Sequence, residues 1–270
     1  MESLAKGGSV DKSFKTTSAG SSFWLYPSPG KRRTKASKKP RCRIFGLVKL
    51  YIVPTPIGNL EDATFRSIRI LKQVDLILAE DTRNSGKLLG HYEITTRMKS
   101  FHSFNEHQQL DRVVNELKSG VQMALISDAG MPGVSDPGFL LVRECVQQGV
   151  EVECLPGASA VFPALVASAL PMDRFVFEGF LPAKKGRKTR LQELSTERRT
   201  MIFFEAPHRL LKTLNEMSEH FGSERMASVG RELSKMHEQH HRGSLADLLA
   251  EFEQREPRGE MVLVVEGSNE

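Results

Sequence analysis

Apolar residues follow no sustained pattern over the first 47 positions and become regular from Leu50 onward. Leu50-Tyr51-Ile52-Val53 is a short apolar run stopped by Pro54, the signature of a buried strand. Positions 64–73 place Phe65, Ile68 and Leu71 on one helical face, and 75–79 are strand-like again. Across 106–118, Leu110, Val113, Val114 and Leu117 fall at helical spacing, and 121–126 predict another strand. A helix over 139–147, a strand over 151–155 and an Ala-rich apolar helix over 158–169 complete the first set. A second set follows: strand 175–178, helix near 187–195, strand 200–204, helix 208–221, strand 225–229, helix 244–254 and strand 260–266. This alternation predicts an α/β fold with parallel sheet covered on both faces.

Pro171 and the turn-like P-M-D-R stretch mark a junction, so the pattern predicts an N-terminal α/β domain over 48–170 and a C-terminal α/β domain over 171–270. The 1–47 segment is a basic extension rich in Ser, Gly, Lys and Pro, a composition that cannot bury enough apolar surface to fold alone. Three readings of it stay open: an arm that touches phosphates, an organelle transit segment, or a stretch preceding a true start near Val48. The last is preferred, because the ordered pattern begins there.

Charge changes meaning once it is divided. The net charge of +5 arises because positions 1–47 hold eleven Lys or Arg against Glu2 and Asp11, whereas the remainder holds twenty-seven basic against thirty-one acidic residues. The body is mildly acidic, so a nucleic-acid contact there needs a local basic patch. Cys42, Cys145 and Cys154 show no C-x-x-C spacing, which argues against a disulfide framework or zinc ribbon and suits a reducing cytoplasm. No apolar run approaches the roughly 18 residues of a membrane span, and no membrane partner is expected.

Chemistry gathers where strands end, the place at which open α/β sheets bind ligands. P-T-P-I-G-N-L (54–60), A-E-D-T-R (79–83), S-D-A-G-M-P-G-V-S-D-P-G (127–138), L-P-G-A-S-A (155–160), F-E-A-P-H-R (204–209) and R-E-L-S-K (231–235) all follow strands. Gly130, Gly133 and Gly157 leave room for a ligand to meet backbone, and Pro132 and Pro156 stiffen the same loops. Ala158 or Ser159, opening the apolar helix, offers N–H donors to an anion or carboxylate. Neither G-x-G-x-x-G nor G-x-x-x-x-G-K-[ST] occurs, so the loops look nucleotide-like without either usual nucleotide motif. H-E-Q-H-H (237–241) satisfies H-E-x-x-H but runs into Arg242-Gly243-Ser244 and reads better as a polar strand than as a zinc helix, so no metal is expected.

In order along the chain, P-T-P-I-G-N-L-E-D, A-E-D-T-R, N-E-H, S-D-A-G-x-P-x-x-S-D-P-G, L-P-G-A-S-A, E-G-F-L-P, E-x-P-H-R, R-E-L-S-K and G-E-M-V resemble the small-subunit ribosomal RNA methyltransferase I family. That family lies within the tetrapyrrole-methylase-like S-adenosylmethionine enzymes, and the likeness covers about residues 49–267. The resemblance implies two α/β domains with the cofactor cleft between them, a homodimer, S-adenosyl-L-methionine as methyl donor, and 2′-O-methylation of a cytidine in the decoding region of 16S rRNA on the small ribosomal subunit. By motif position it implies that Asp128, Ala129, Gly130, Met131, Ser135, Gly157, Ala158 and Ser159 surround the donor, with Pro54, Pro56, Gly58 and Asn59 as the facing wall. Met131 stands where the family has Thr, Phe204 where it has Tyr and Ala206 where it has Ser, and the first of these removes a hydroxyl from the donor site.

Ribose methylation is helped by a general base, for which Glu80, Asp81, Glu106 and His208 are the candidates. Asp81 is preferred, with Arg83 on a phosphate, Asn105 on the sugar and Arg209 a further RNA contact; the competing role for Asp81 is to cap the helix at Thr82 or pair with Arg83. K-K-G-R-K-T-R (184–190) with Arg198-Arg199 is the clearest basic cluster of the body, and Lys184, Lys185, Arg187 and Lys188 are expected to meet RNA phosphate. Two other activities fit the residues: a methyltransferase of the same superfamily acting on a tetrapyrrole or protein, and a non-catalytic RNA-binding assembly factor.

Overall fold

The first apolar runs pair side by side. In the computed structural model, which describes residues 49–103 and 105–269, strands β1 (Lys49–Ile52), β2 (Leu76–Ala79), β3 (Met98–Ser100), β4 (Met123–Ile126) and β5 (Glu151–Cys154) form an all-parallel sheet in the order β3-β2-β4-β1-β5. The segment 1–47 lies outside the described residues. Every residue of β4 is buried, which is why it reads as an unbroken apolar run. Met123 and Leu125 face a core with Leu117 and Leu141, while Ala124 and Ile126 face a second core with Ile70 and Leu89. Those cores are closed by helices α1 (Phe65–Gln73), α2 (Thr82–His91), α3 (Glu106–Lys118) and α4 (Phe139–Gln147). The chain leaves β1 toward β2 and leaves β4 in the opposite direction toward β5, so the ends of β1 and β4 flank a switch point of the sheet.

The second sheet departs from the parallel expectation. Strands β6 (Phe175–Phe180), β7 (Thr200–Glu205), β8 (Met226–Arg231), β9 (Gln239–Ser244) and β10 (Met261–Val265) lie in the order β6-β7-β10-β8-β9. Only β6 and β7 run parallel; β10 is antiparallel to both its neighbours, and β9 returns antiparallel along β8. The H-E-Q-H-H stretch therefore enters a strand. Helices α6 (Arg187–Leu194), α7 (Leu210–Phe221) and α8 (Leu245–Glu253) cover one face of this sheet. The other face is covered by helix α5 (Val161–Ser168), whose Val161, Ala164 and Leu165 pack on Ile202, Val262 and Val264. Among the described residues no helix is long and apolar enough to cross a membrane.

Candidate active site

The loops leaving β1 and β4 are stitched together before they diverge. Thr55 and Gly130 exchange two backbone hydrogen bonds of 2.9 Å, and the Thr55 hydroxyl donates to the Ser127 carbonyl at 3.0 Å. Beyond this bridge opens a cleft of about 390 Å³, within the roughly 300–1,000 Å³ typical of small-molecule sites. Ile57, Met131, Ser135, Asp136 and Ser159 line it from the first half of the chain; Phe180, Phe204, Leu233, Glu260 and Val262 line it from the second. Ser135 holds φ +64°, a strained conformation for a residue with a Cβ and a mark of over-determined loops at binding sites. Apolar walls carrying a few convergent polar groups suit a ligand with a flat ring system and polar flanks.

Acidic groups crowd one rim. Burial pushes the Asp136 carboxyl up to about 6, the negative charges of Glu80 and Asp128 push it the same way, and a hydrogen bond from Ser127 opposes them. Glu80 is also raised, chiefly by burial. Asp81 is the opposite case. It caps α2, accepting from Arg83 N at 2.8 Å, and takes further bonds from Arg83 Nε at 3.2 Å and Nη2 at 2.8 Å. The Arg83 guanidinium holds it down at about 2, where it is a poor proton acceptor.

The remaining expected residues fall into distinct places. Ala129, Gly130, Met131, Ser135 and Ser159 line the cleft. Pro54, Pro56, Gly58, Asn59, Asp128, Gly157 and Ala158 stand outside that lining: Pro54 is buried behind it, the Asn59 side chain accepts from Glu61 N at 3.1 Å, and Asp128 accepts from Asp81 N and Asn84. Glu106 is buried and accepts from the backbone N–H groups of Gly138 and Leu141, at the start of α4, which makes it a cap for another helix. Asn105 bonds His102 through both its backbone and its ring. His208 is exposed in the 3₁₀ turn Pro207–Arg209 and does not line the cleft. Arg209 bonds the Leu181 carbonyl at 2.8 Å and the buried Glu205 at 3.3 Å.

The basic cluster divides in two. Arg187 is corrected from a surface contact to a buried one: its guanidinium is consumed by Glu216 at 2.5 Å, Thr213 Oγ1 at 2.7 Å and the Pro182 carbonyl at 3.2 Å. Lys184, Lys185 and Lys188 are exposed. Three residues that sequence reasoning passed over also enter the site: Asp136, within the quoted S-D-P-G; Phe180, within E-G-F-L-P; and Glu260, within G-E-M-V.

Residues 49–249 match the profile of the tetrapyrrole (corrin/porphyrin) methylases. The ribosomal RNA small subunit methyltransferase I of Synechocystis sp. is 50% identical over 220 residues, 81% of this chain and 79% of that protein. The protein of the same name from Thermotoga maritima is 45% identical over 219 residues, 81% and 98% of the two chains, and that from Pasteurella multocida is 50% identical over 222 residues, 81% and 79%. Among solved structures, a diphthine synthase superposes with TM-score 0.64 at 13% identity over 81% of this chain and 90% of its own. A cobalt precorrin-4 methyltransferase superposes with TM-score 0.60 at 16% identity over 81% and 95%, and at such identities the likeness is one of fold.

Proposed function

Because the chain belongs to the ribosomal RNA small subunit methyltransferase I family of the tetrapyrrole methylases, we propose that it methylates small-subunit ribosomal RNA. It is a methyltransferase, and its cofactor is S-adenosyl-L-methionine. The acceptor in this reading is the ribose 2′-oxygen of a cytidine in the decoding region of 16S rRNA, reached on the small ribosomal subunit in the cytoplasm. The proposed assembly is a homodimer, in keeping with exposed Phe139 and Val146 on α4 and Phe162 and Val166 on α5.

The cleft fits the cofactor. Ile57, Met131, Leu233 and Val262 offer apolar surface for an adenine ring, Ser135 and Ser159 offer hydroxyls at its edge, and the Glu260 carboxylate suits the cationic part of the molecule. When bound, S-adenosylmethionine supplies a methyl group on a positively charged sulfur. The chain's own work is to exclude water, hold the acceptor oxygen in line and take its proton. Asp136 is the proposed base in preference to Asp81: it lines the cleft and, titrating at about 6, is ionised at neutral pH while remaining a better proton acceptor than a carboxylate held at about 2. Glu80, half-buried beside it, has its own carboxyl raised, chiefly by burial and further by the charge of Asp128.

The observation that supports this reading most is identity of about half the residues to named relatives over four fifths of the chain. The test is incubation of the protein with labelled S-adenosylmethionine and small subunits that lack the modification, followed by nucleoside mapping. Label in 2′-O-methylcytidine is expected. Label on a base, on protein or in a tetrapyrrole, or none at all, would reject the assignment.

A further inference from the structure

Phe180 ends β6 at the cleft with 53% of its surface exposed, an unusual position for a large aromatic residue. Its placement depends on an irregularity. Phe175 to Phe177 pair in step with Thr200 to Ile202, and the register then slips so that Gly179 faces Phe203 and Phe180 faces Phe204, leaving Glu178 as the extra residue of a bulge. Simple alternation would turn Phe180 away from Phe177; the slip returns it to the face that carries Phe177, Ile202 and Phe204. Gly179 makes this possible at φ +63°, where a Cβ would also stand 3.3 Å from Ser135 Oγ.

The ring is buttressed as well as aimed. Phe204 meets it edge-on at 5.6 Å between centroids and is itself braced by Phe177 at 5.0 Å. The bulged Glu178 accepts from Nε and Nη2 of Arg190 at 2.7–3.0 Å, and Arg187 is anchored inward to Glu216 and Thr213. The segment that runs on from Phe180 is thus pegged at two arginines, and its exposed Lys184, Lys185 and Lys188 have no ion-pair partner among the described residues. A fixed, uncovered aromatic ring followed within eight residues by three unpaired cations is the surface that single-stranded nucleic acid binds, bases on the ring and phosphates on the cations.

We propose that Phe180 is a stacking platform for the base of the nucleotide to be methylated, which enters the cleft unpaired while Lys184, Lys185 and Lys188 hold the neighbouring phosphates. The assignment rests on the RNA reading above. Phe180 is accordingly a specificity-determining residue for the acceptor and lies outside donor recognition.

The experiment compares wild type with Phe180→Ala, Phe180→Leu and Phe180→Trp in the full chain, measuring kcat/KM with small subunits and S-adenosylmethionine affinity by calorimetry. Phe180→Ala is expected to lower kcat/KM about 5- to 100-fold, with donor affinity unchanged. Phe180→Trp is expected to restore most of that loss and Phe180→Leu little of it. Donor binding weakened in parallel with turnover would place the ring on the cofactor and overturn the proposal, as would undiminished turnover of Phe180→Ala or equal recovery by Leu and Trp. A wild-type protein that methylates no RNA would overturn the functional reading beneath it, and that result is seen before any variant is compared.

Discussion

Gly157 lies directly against the ring of Pro54, so that a Cβ on the glycine would stand 2.9 Å from Pro54 Cβ and 3.0 Å from its Cγ. The two residues follow the neighbouring strands β5 and β1, and Pro54 is buried, so neither loop can yield without moving the wall behind the cleft. Gly157→Ala is expected to cost about 1–3 kcal/mol through overpacking and to weaken donor binding with it. Urea midpoints and calorimetry read the two effects, and a variant with wild-type midpoint and affinity would show that the contact constrains nothing.

Asp136 should impose its titration on both rate and stability. With the carboxyl at about 6, turnover rises as pH climbs through that value and levels above it, and Asp136→Asn loses turnover while keeping donor affinity. The stability effect has the opposite sense. The folded value lies above the ordinary 3.8, so the fold favours the protonated acid; its contribution is full below 3.8 and is lost as pH rises through about 6. Asp136→Asn should therefore melt above wild type at pH 8, and the difference should shrink toward pH 4. A constant difference across that range would exclude the titration.

Much of this was legible in the sequence, for reasons visible in single elements. Buried β4 reads as the apolar run Met123 to Ile126, and α3 shows its face through Val113, Val114 and Leu117. Helix α2 is signalled only at its start, by Asp81 as a cap before Thr82, because Ser85, Gly86 and Gly90 dilute its apolar stripe; β3 gives no signal because Met-Lys-Ser is too short to show a period. The glycine- and proline-bearing loops were legible as a site because their local chemistry is written in consecutive residues. The burial of Asp136, the inward turn of Arg187 onto Glu216 twenty-nine positions away, and the bulge that redirects Phe180 depend on distant partners or a broken period, which local pattern does not carry.

Arg187 and its lysine neighbours should separate stability from RNA binding. Removing the buried guanidinium takes the donor from Thr213 and leaves Glu216 only the longer pairing with Lys212 at 3.7 Å, so Arg187→Ala is expected to cost about 3 kcal/mol, visible as a lowered melting temperature. Replacing Lys184, Lys185 and Lys188 by Ala should leave melting nearly unchanged. It should reduce the slope of log affinity against log salt by roughly 2 for three lost phosphate contacts on a single strand. An unaltered slope would remove those lysines from the RNA interface.

Ser234 donates its hydroxyl to the Asp62 carboxylate, tying the loop after β8 to the 3₁₀ turn that follows β1. Glu232 and Ser234 both hold positive φ, at 51° and 65°, and Leu233 between them is buried in the cleft wall. Strain of this kind persists only where contacts over-determine it, and this hydrogen bond is one such contact. In a double-mutant cycle, Ser234→Ala and Asp62→Ala are expected to be non-additive by about 1 kcal/mol in urea unfolding. Each single variant should also raise the KM for S-adenosylmethionine a few-fold with little change in kcat, because Leu233 loses its fixed position while Asp136 keeps its own. Additive stability effects would show that the two side chains do not act together, and a fall in kcat at constant KM would move the loop's role from the donor wall to the chemistry.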